Sequence, residues 1–169
     1  SPAAAPEKGH MEILMTERPA SGTTEWSDVL DNNAGVANYS LRQIILSTDI
    51  SSSSDRVRLT LEASTAQSLT LDNVAIVERS GESSNGVSTP TEILFGGNSG
   101  VVVPTSGTAV SDWLNFQLDS SKDYLLIADV NSSTISDECR YTSAGGNGYY
   151  YNASANSYNT PSLVNPGLN

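Results

Sequence analysis

Trp113, Asn115 and Gln117 stand at alternate positions of the segment 110–118, VSDWLNFQL. In an extended strand that spacing puts the three side chains on one face and Leu114, Phe116 and Leu118 on the other. An indole beside two carboxamides suits carbohydrate. Sugars present apolar C–H faces on which a flat ring stacks, while Asn and Gln bond the hydroxyls around it. A second aromatic group is Tyr149-Tyr150-Tyr151, where alternation sends Tyr149 and Tyr151 one way and Tyr150 the other. The expected ligand-binding residues are therefore Trp113, Asn115, Gln117, Tyr149, Tyr150, Tyr151 and Tyr158, with Trp26 a weaker candidate. The competing role for each is packing. A sandwich Trp fills inter-sheet space, and a strand Tyr packs across the ladder with its hydroxyl at the rim.

Carboxylates offer a second chemistry. Glu25, Asp28 and Asp31, with Asn32 beside them, have the oxygen donors of a structural Ca²⁺ site, and Asp49 and Asp55 flank the serine tract 51–54. No EF-hand spacing is present, and solvated acids and turn formers are the alternative reading. No other cofactor is expected.

Catalysis finds little to work with. His10 is the sole histidine and follows a Pro/Ala-rich leader. Residues 1–11 read as an expression-tag remnant, which leaves the domain without a histidine. Ser/His/Asp chemistry lacks its base, and histidine-ligated metal lacks its ligand. Cys139 stands alone, so neither an internal disulfide nor a thiolate cluster can form. No glycine-rich phosphate loop precedes a helix. Asp112 and Asp119 are ordinary among many acids. The expectation is a protein that is not an enzyme.

The chain carries 19 acidic against 8 basic residues, a net charge of −11. Such a surface repels phosphate backbones and excludes nucleic acid as an expected partner. It also disfavours acidic polysaccharides unless calcium bridges them. No apolar run reaches the ~20 residues of a membrane helix, so membrane insertion is not expected. Ser, Thr and Asn make up about a third of the chain. That mixture suits short strands, many turns and an extracellular, cell-surface or virion setting.

The elements that would position these groups are strands. Residues 56–62 alternate cleanly, with Val57, Leu59 and Leu61 opposed to Arg56, Arg58, Thr60 and Glu62. Further strands are expected at 39–48, 69–79 with a bulge at Asp72-Asn73, 91–95, 101–103 and 110–118. Residues 124–130, YLLIADV, are nearly all apolar, as in a central strand covered on both faces. A hairpin is expected from 139–142 and 149–152, and a mobile loop over 80–90. Residues 21–30 suit either a helical turn or a strand. Eight or so strands in two antiparallel sheets make an all-β sandwich, jelly-roll-like, over 12–158, with 159–169 a C-terminal tail or linker.

Three blocks carry a resemblance: LRQIILSTDISSSSDRVRLTLEA (41–63), LTLDNVAIVERSG (69–81) and TEILFGGNSGVVVPTSGTAVSDWLNFQLDSSKDYLLIADV (91–130). In order and spacing they resemble the N-terminal accessory β-sandwich of secreted SGNH/GDSL-type esterases, and of related carbohydrate-binding or phage tail modules. Thr60-Leu61 stands where Ser-Asn is frequent in that family. The Gly-Asp-Ser nucleophile block and late Asp-x-x-His of the family's catalytic domain are absent from this chain. The resemblance therefore implies an accessory module that contacts a glycan or cell-surface polysaccharide, or that packs beside a flanking domain. The alternative is a structural or receptor-binding domain of a virion or surface appendage, working as a homo-oligomer. A third reading is a fragment of an esterase.

Overall fold

The computed structural model describes residues 10–15, 23–29, 39–63, 65, 68–130, 149–152, 157–164 and 166–168, without the side chains of 10–15, 23–29, Tyr149 and Leu168. It is an antiparallel β-sandwich. The strands are β1 (His10–Met15), β2 (Thr23–Val29), β3 (Tyr39–Ile45), β4 (Ser54–Glu62), β5 (Leu69–Leu71), β6 (Asn73–Glu78) and β7 (Thr91–Ile93), then β8 (Val101–Val103), β9 (Thr108–Val110), β10 (Leu114–Leu118), β11 (Tyr124–Val130), β12 (Tyr149–Asn152) and β13 (Gly167–Leu168). A single 3₁₀ turn, Ser47–Asp49, follows β3. One sheet runs β10-β4-β1-β2, with β9 also on β4; the other runs β13-β12-β3-β11-β6-β7; β5 and β8 form a separate pair.

The alternation in β4 works as its sequence requires. Val57, Leu59 and Leu61 are almost fully buried and meet Leu41, Ile45, Ile76 and Leu126 of the facing sheet in one core. Fully burying one such side chain is worth about 1.5–3 kcal/mol. Thr60 and Glu62, on the opposite face, are buried as well. There β4 is flanked on both edges, by β1 and by β9.

Every residue of β11 is buried. The strand lies between β3 and β6. Its inward residues enter the inter-sheet core, while Leu125 and Ile127 join Ile44, Ala75, Val77, Tyr150 and Leu163 on the sheet's outer face. Both faces are covered, which is why the strand shows no polar alternation.

That outer cover comes from two segments expected to be loose. In the loop 80–90, Ser80 N donates to Asn85 O, Val87 N to Glu78 O and Gly86 N to Pro161 O, all at 2.8–2.9 Å. Gly86 packs so closely that a Cβ there would lie 2.6 Å from a Val77 methyl. The described part of the C-terminal segment is likewise part of the domain: Leu163 is buried, and β13 pairs with β12. At the other end, the ladder begins at His10, so His10 and Met11 pair with Glu62 and Leu61 of β4. The domain thus reaches beyond 12–158 on both sides. Linker-like composition hid this, because the bonds holding the C-terminal segment come from side chains far away in sequence.

The chief of those side chains is Arg42, fully buried on the outer face of β3. Its Nη1 donates to the carbonyls of Ser84 at 3.0 Å and Pro161 at 2.7 Å, and its Nη2 to those of Ser157 at 3.0 Å and Thr160 at 2.8 Å. Asp129, across the ladder on β11, accepts from Ser40 Oγ at 2.5 Å, Ser157 N at 3.2 Å and Tyr158 N at 3.1 Å. Burial lowers the Arg42 pKa to about 10 while Asp129 opposes the shift, so the group stays cationic at neutral pH.

Strand expectations held with finer division. The segment 69–79 splits at Asp72 into β5 and β6, which enter different sheets. The segment 110–118 splits into β9 and β10. Residues 21–30 contain strand β2 rather than a helical turn. Of the expected hairpin, β12 is present, and 139–142 with Cys139 lie outside the described residues.

Arg42→Met should destabilise the fold by about 3 kcal/mol or more, because it leaves four carbonyls without their donor and removes the positive charge near buried Asp129. Urea unfolding followed by tryptophan fluorescence measures this. Arg42→Lys should recover little, since a single ammonium cannot span four acceptors.

Candidate functional site

β9 and β10 lie along the same edge of β4, and the junction between them shapes the site. In β9 the pairs are Thr60↔Val110, Leu61↔Ala109 and Glu62↔Thr108. In β10 they are Leu114↔Val57 and Asn115↔Arg56. The register moves by one residue between the two. Continuing β9 would put Asp112 opposite Arg58; continuing β10 back puts Trp113 there. Ser111 bridges the break: Leu59 N donates to its Oγ at 2.9 Å, and its own N donates to Leu59 O at 2.8 Å. Such a one-residue bulge re-aims the side chains beyond it.

Displaced Asp112 finds other donors. Gly96 N reaches its Oδ1 at 2.9 Å and Gly97 N its Oδ2 at 2.7 Å. Both glycines have positive φ, +59° and +79°, a conformation that turns successive amides toward one acceptor.

Trp113 is half-buried, and two guanidinium groups cover it. Arg58 Cζ lies 4.4 Å and Arg56 Cζ 5.0 Å from the ring centroid. A cation over an indole face is worth about 0.5–1 kcal/mol where exposed and ~2 kcal/mol where desolvated. Asn115 and Gln117 continue the row and are exposed. The alternation expected for 113, 115 and 117 is therefore observed, with Leu114, Phe116 and Leu118 against the core. Arg56 and Arg58 were legible only as outward-facing residues of β4. Placing them on Trp113 needs the register of β4 against β10, which no local pattern reports.

Gln117 also borders a polar cleft of about 850 Å³ at the end of the sandwich, lined by Asp55, Glu78, Asp119, Lys122 and Tyr124. Several of its polar groups are already partnered. Lys122 Nζ sits 3.3 Å from Glu78 Oε2, which raises the lysine's pKa. Asp119 Oδ1 accepts from Ser121 Oγ at 2.6 Å and Ser121 N at 2.8 Å, which lowers its pKa. Tyr124 Oη accepts from Asp119 N at 2.7 Å, and burial raises the phenol's pKa.

The tyrosines do not join this face. Tyr150 is buried on the outer side of the other sheet, where its Oη accepts from Arg79 Nη2 at 2.8 Å and donates to Glu82 O at 3.2 Å. Tyr158 is half-buried against the same cluster. Tyr151 turns inward and packs on Tyr39, ring centroids 5.9 Å apart. Tyr149 lies in β12, its side chain outside the description. Trp113 and Tyr150 therefore stand on opposite outer faces of the sandwich, so a single site spanning both is not formed. Tyr150 and Tyr158 pack in the cluster over the outer face of the six-stranded sheet, and Tyr151 packs against the inter-sheet core.

Of the expected calcium ligands, Glu25 and Asp28 lie in β2, Glu25 at a register shift against β1, with side chains outside the description; Asp31 lies outside the described residues. Among the described residues no group of three or more His, Cys, Asp or Glu is placed to hold a metal. No helix there is long and apolar enough to cross a membrane. No protein-family model matches the chain, and no curated protein of matching sequence was found.

Asp119 gives a pH test of the cleft. Its folded pKa lies below the ordinary value of about 3.9, so the stabilisation it adds is present above that value and is lost as pH falls through the folded pKa. A carboxyl-detected NMR titration should place Asp119 below the ordinary aspartate value of about 3.9. Ser121→Ala should move it back up.

Proposed function

We propose that this sandwich is a non-catalytic carbohydrate-binding module of an extracellular, cell-surface or virion protein. Its ligand would lie along the outer face of β4 and β10. The row Trp113, Asn115 and Gln117 carries the reading: an aromatic ring followed by two exposed carboxamides at alternate strand positions. Strand spacing is about 6.6 Å between alternate residues, close to the span of one sugar ring. The adjoining cleft, about 850 Å³, falls within the range of ligand sites and extends the polar row at Gln117. The three sequence blocks that resemble accessory sandwiches of secreted esterases point the same way.

Binding is expected to rest on contacts made by rigid strands rather than on loop closure. Trp113 packs against two side chains of β4, so its ring is preorganised. The tyrosines are structural in this reading, and Tyr150 supports the loop 80–90 through Glu82 O.

Retention on a panel of neutral and charged polysaccharides in affinity electrophoresis tests the assignment. Trp113→Ala should weaken binding about tenfold or more, a loss of ~1.4 kcal/mol per decade. Tyr150→Phe should lower the unfolding midpoint and leave retention unchanged. Absence of retention on every polymer, together with stable trimers in solution, would overturn the reading in favour of an assembly domain.

A further inference from the structure

Arg56 and Arg58 are treated differently from every other described cation. Arg42 is satisfied by four carbonyls, Arg79 lies 3.6 Å from Asp123, and Lys122 lies 3.3 Å from Glu78. Among the described residues neither Arg56 nor Arg58 has a carboxylate partner. Arg58 Nε, like Arg42 Nε, is buried without a hydrogen-bond partner, but Arg42 has carbonyls on both Nη groups and Arg58 has none among the described residues. In a chain with 19 acids and 8 bases, two adjacent cations without an acid are an arrangement that composition alone would not favour. The bulge at Ser111 keeps them so. It takes Asp112 away from the position opposite Arg58, ties it to Gly96 and Gly97, and puts Trp113 in its place.

We propose that this face binds an anionic glycan, with the carboxylate of a uronic-acid-type sugar seated on the Arg56 and Arg58 guanidinium groups. This rests on the carbohydrate reading above and sharpens it. A guanidinium is planar and offers paired N–H donors that match a carboxylate. Trp113 holds both groups within 5.0 Å of one ring, so little side-chain freedom remains to be lost on binding. Asn115, opposite Arg56 in the ladder, and Gln117 beyond it are placed for the hydroxyls of the same or the next sugar. The net charge of −11 argues against an acidic polymer spread over the whole surface. A ligand confined to this strip meets local positive charge instead, and its binding weakens with salt.

Calorimetry with polygalacturonate, its fully methyl-esterified form, dextran sulfate and neutral glucans tests this. Polygalacturonate should bind, with affinity falling as salt rises. The methyl ester and dextran sulfate should bind at least about tenfold more weakly. Arg56→Gln and Arg58→Gln should each lose about tenfold toward polygalacturonate, with unchanged melting temperature as the check on folding. Arg58→Lys keeps the charge without the fork and should recover only part of the loss. Equal binding of the methyl ester, equal binding of dextran sulfate, or undiminished affinity in the Arg56→Gln/Arg58→Gln double variant would overturn the proposal. Retention of neutral glucans without polygalacturonate would overturn it and leave the carbohydrate reading standing. If no polymer binds, both fail.

Discussion

A buried guanidinium organises one side of this protein. Arg42 lies inside the cover of the six-stranded sheet, where a cation is costly unless its donors are met. Four carbonyls from two segments meet its Nη donors, and Asp129 collects the amides of Ser157 and Tyr158 on the other flank. The pair therefore does two things at once. It closes the loop 80–90 and the C-terminal segment over β11, and it makes the outer face of that sheet a second small core.

The five-stranded sheet shows the opposite solution. The inward residues of β4 and β10 are apolar, while outward Arg56, Arg58 and Trp113 satisfy one another by stacking rather than by ion pairing. The difference follows from chemistry. Arg42 is sealed from water and needs fixed acceptors; Arg56 and Arg58 are only half-buried and keep donors available. The outer face of β4 and β10 leaves guanidinium groups against an aromatic ring, whereas Arg42 gives both of its Nη groups to carbonyls.

Much of the fold was legible where a local pattern has one physical cause. Alternation in 56–62 and in 110–118 named the inward residues, because one face of each strand meets an apolar core. The unbroken apolar run 124–130 marked the central strand, because both its faces are covered. The tyrosine run misled as a site signal. Its alternation describes two faces, and in this fold Tyr150 and Tyr151 both meet packed surroundings. The loop 80–90 and the tail expected at 159–169 also misled, since glycine, serine and proline report turn geometry and say nothing of what a distant arginine holds.

By itself the sequence determined an antiparallel β protein, its inward residues in β4 and β10, the central place of β11, and a row of Trp113, Asn115 and Gln117 on one strand face. Those properties follow from a side-chain period of two and the free energy of burying apolar surface, both local to a strand. Tertiary structure decided what lies beside that row. Whether Asp112 or Trp113 faces Arg58 depends on a one-residue shift between strands that are about fifty residues apart in the chain. Pairing across that distance is set by the whole sheet, so no window of sequence around residue 113 contains it.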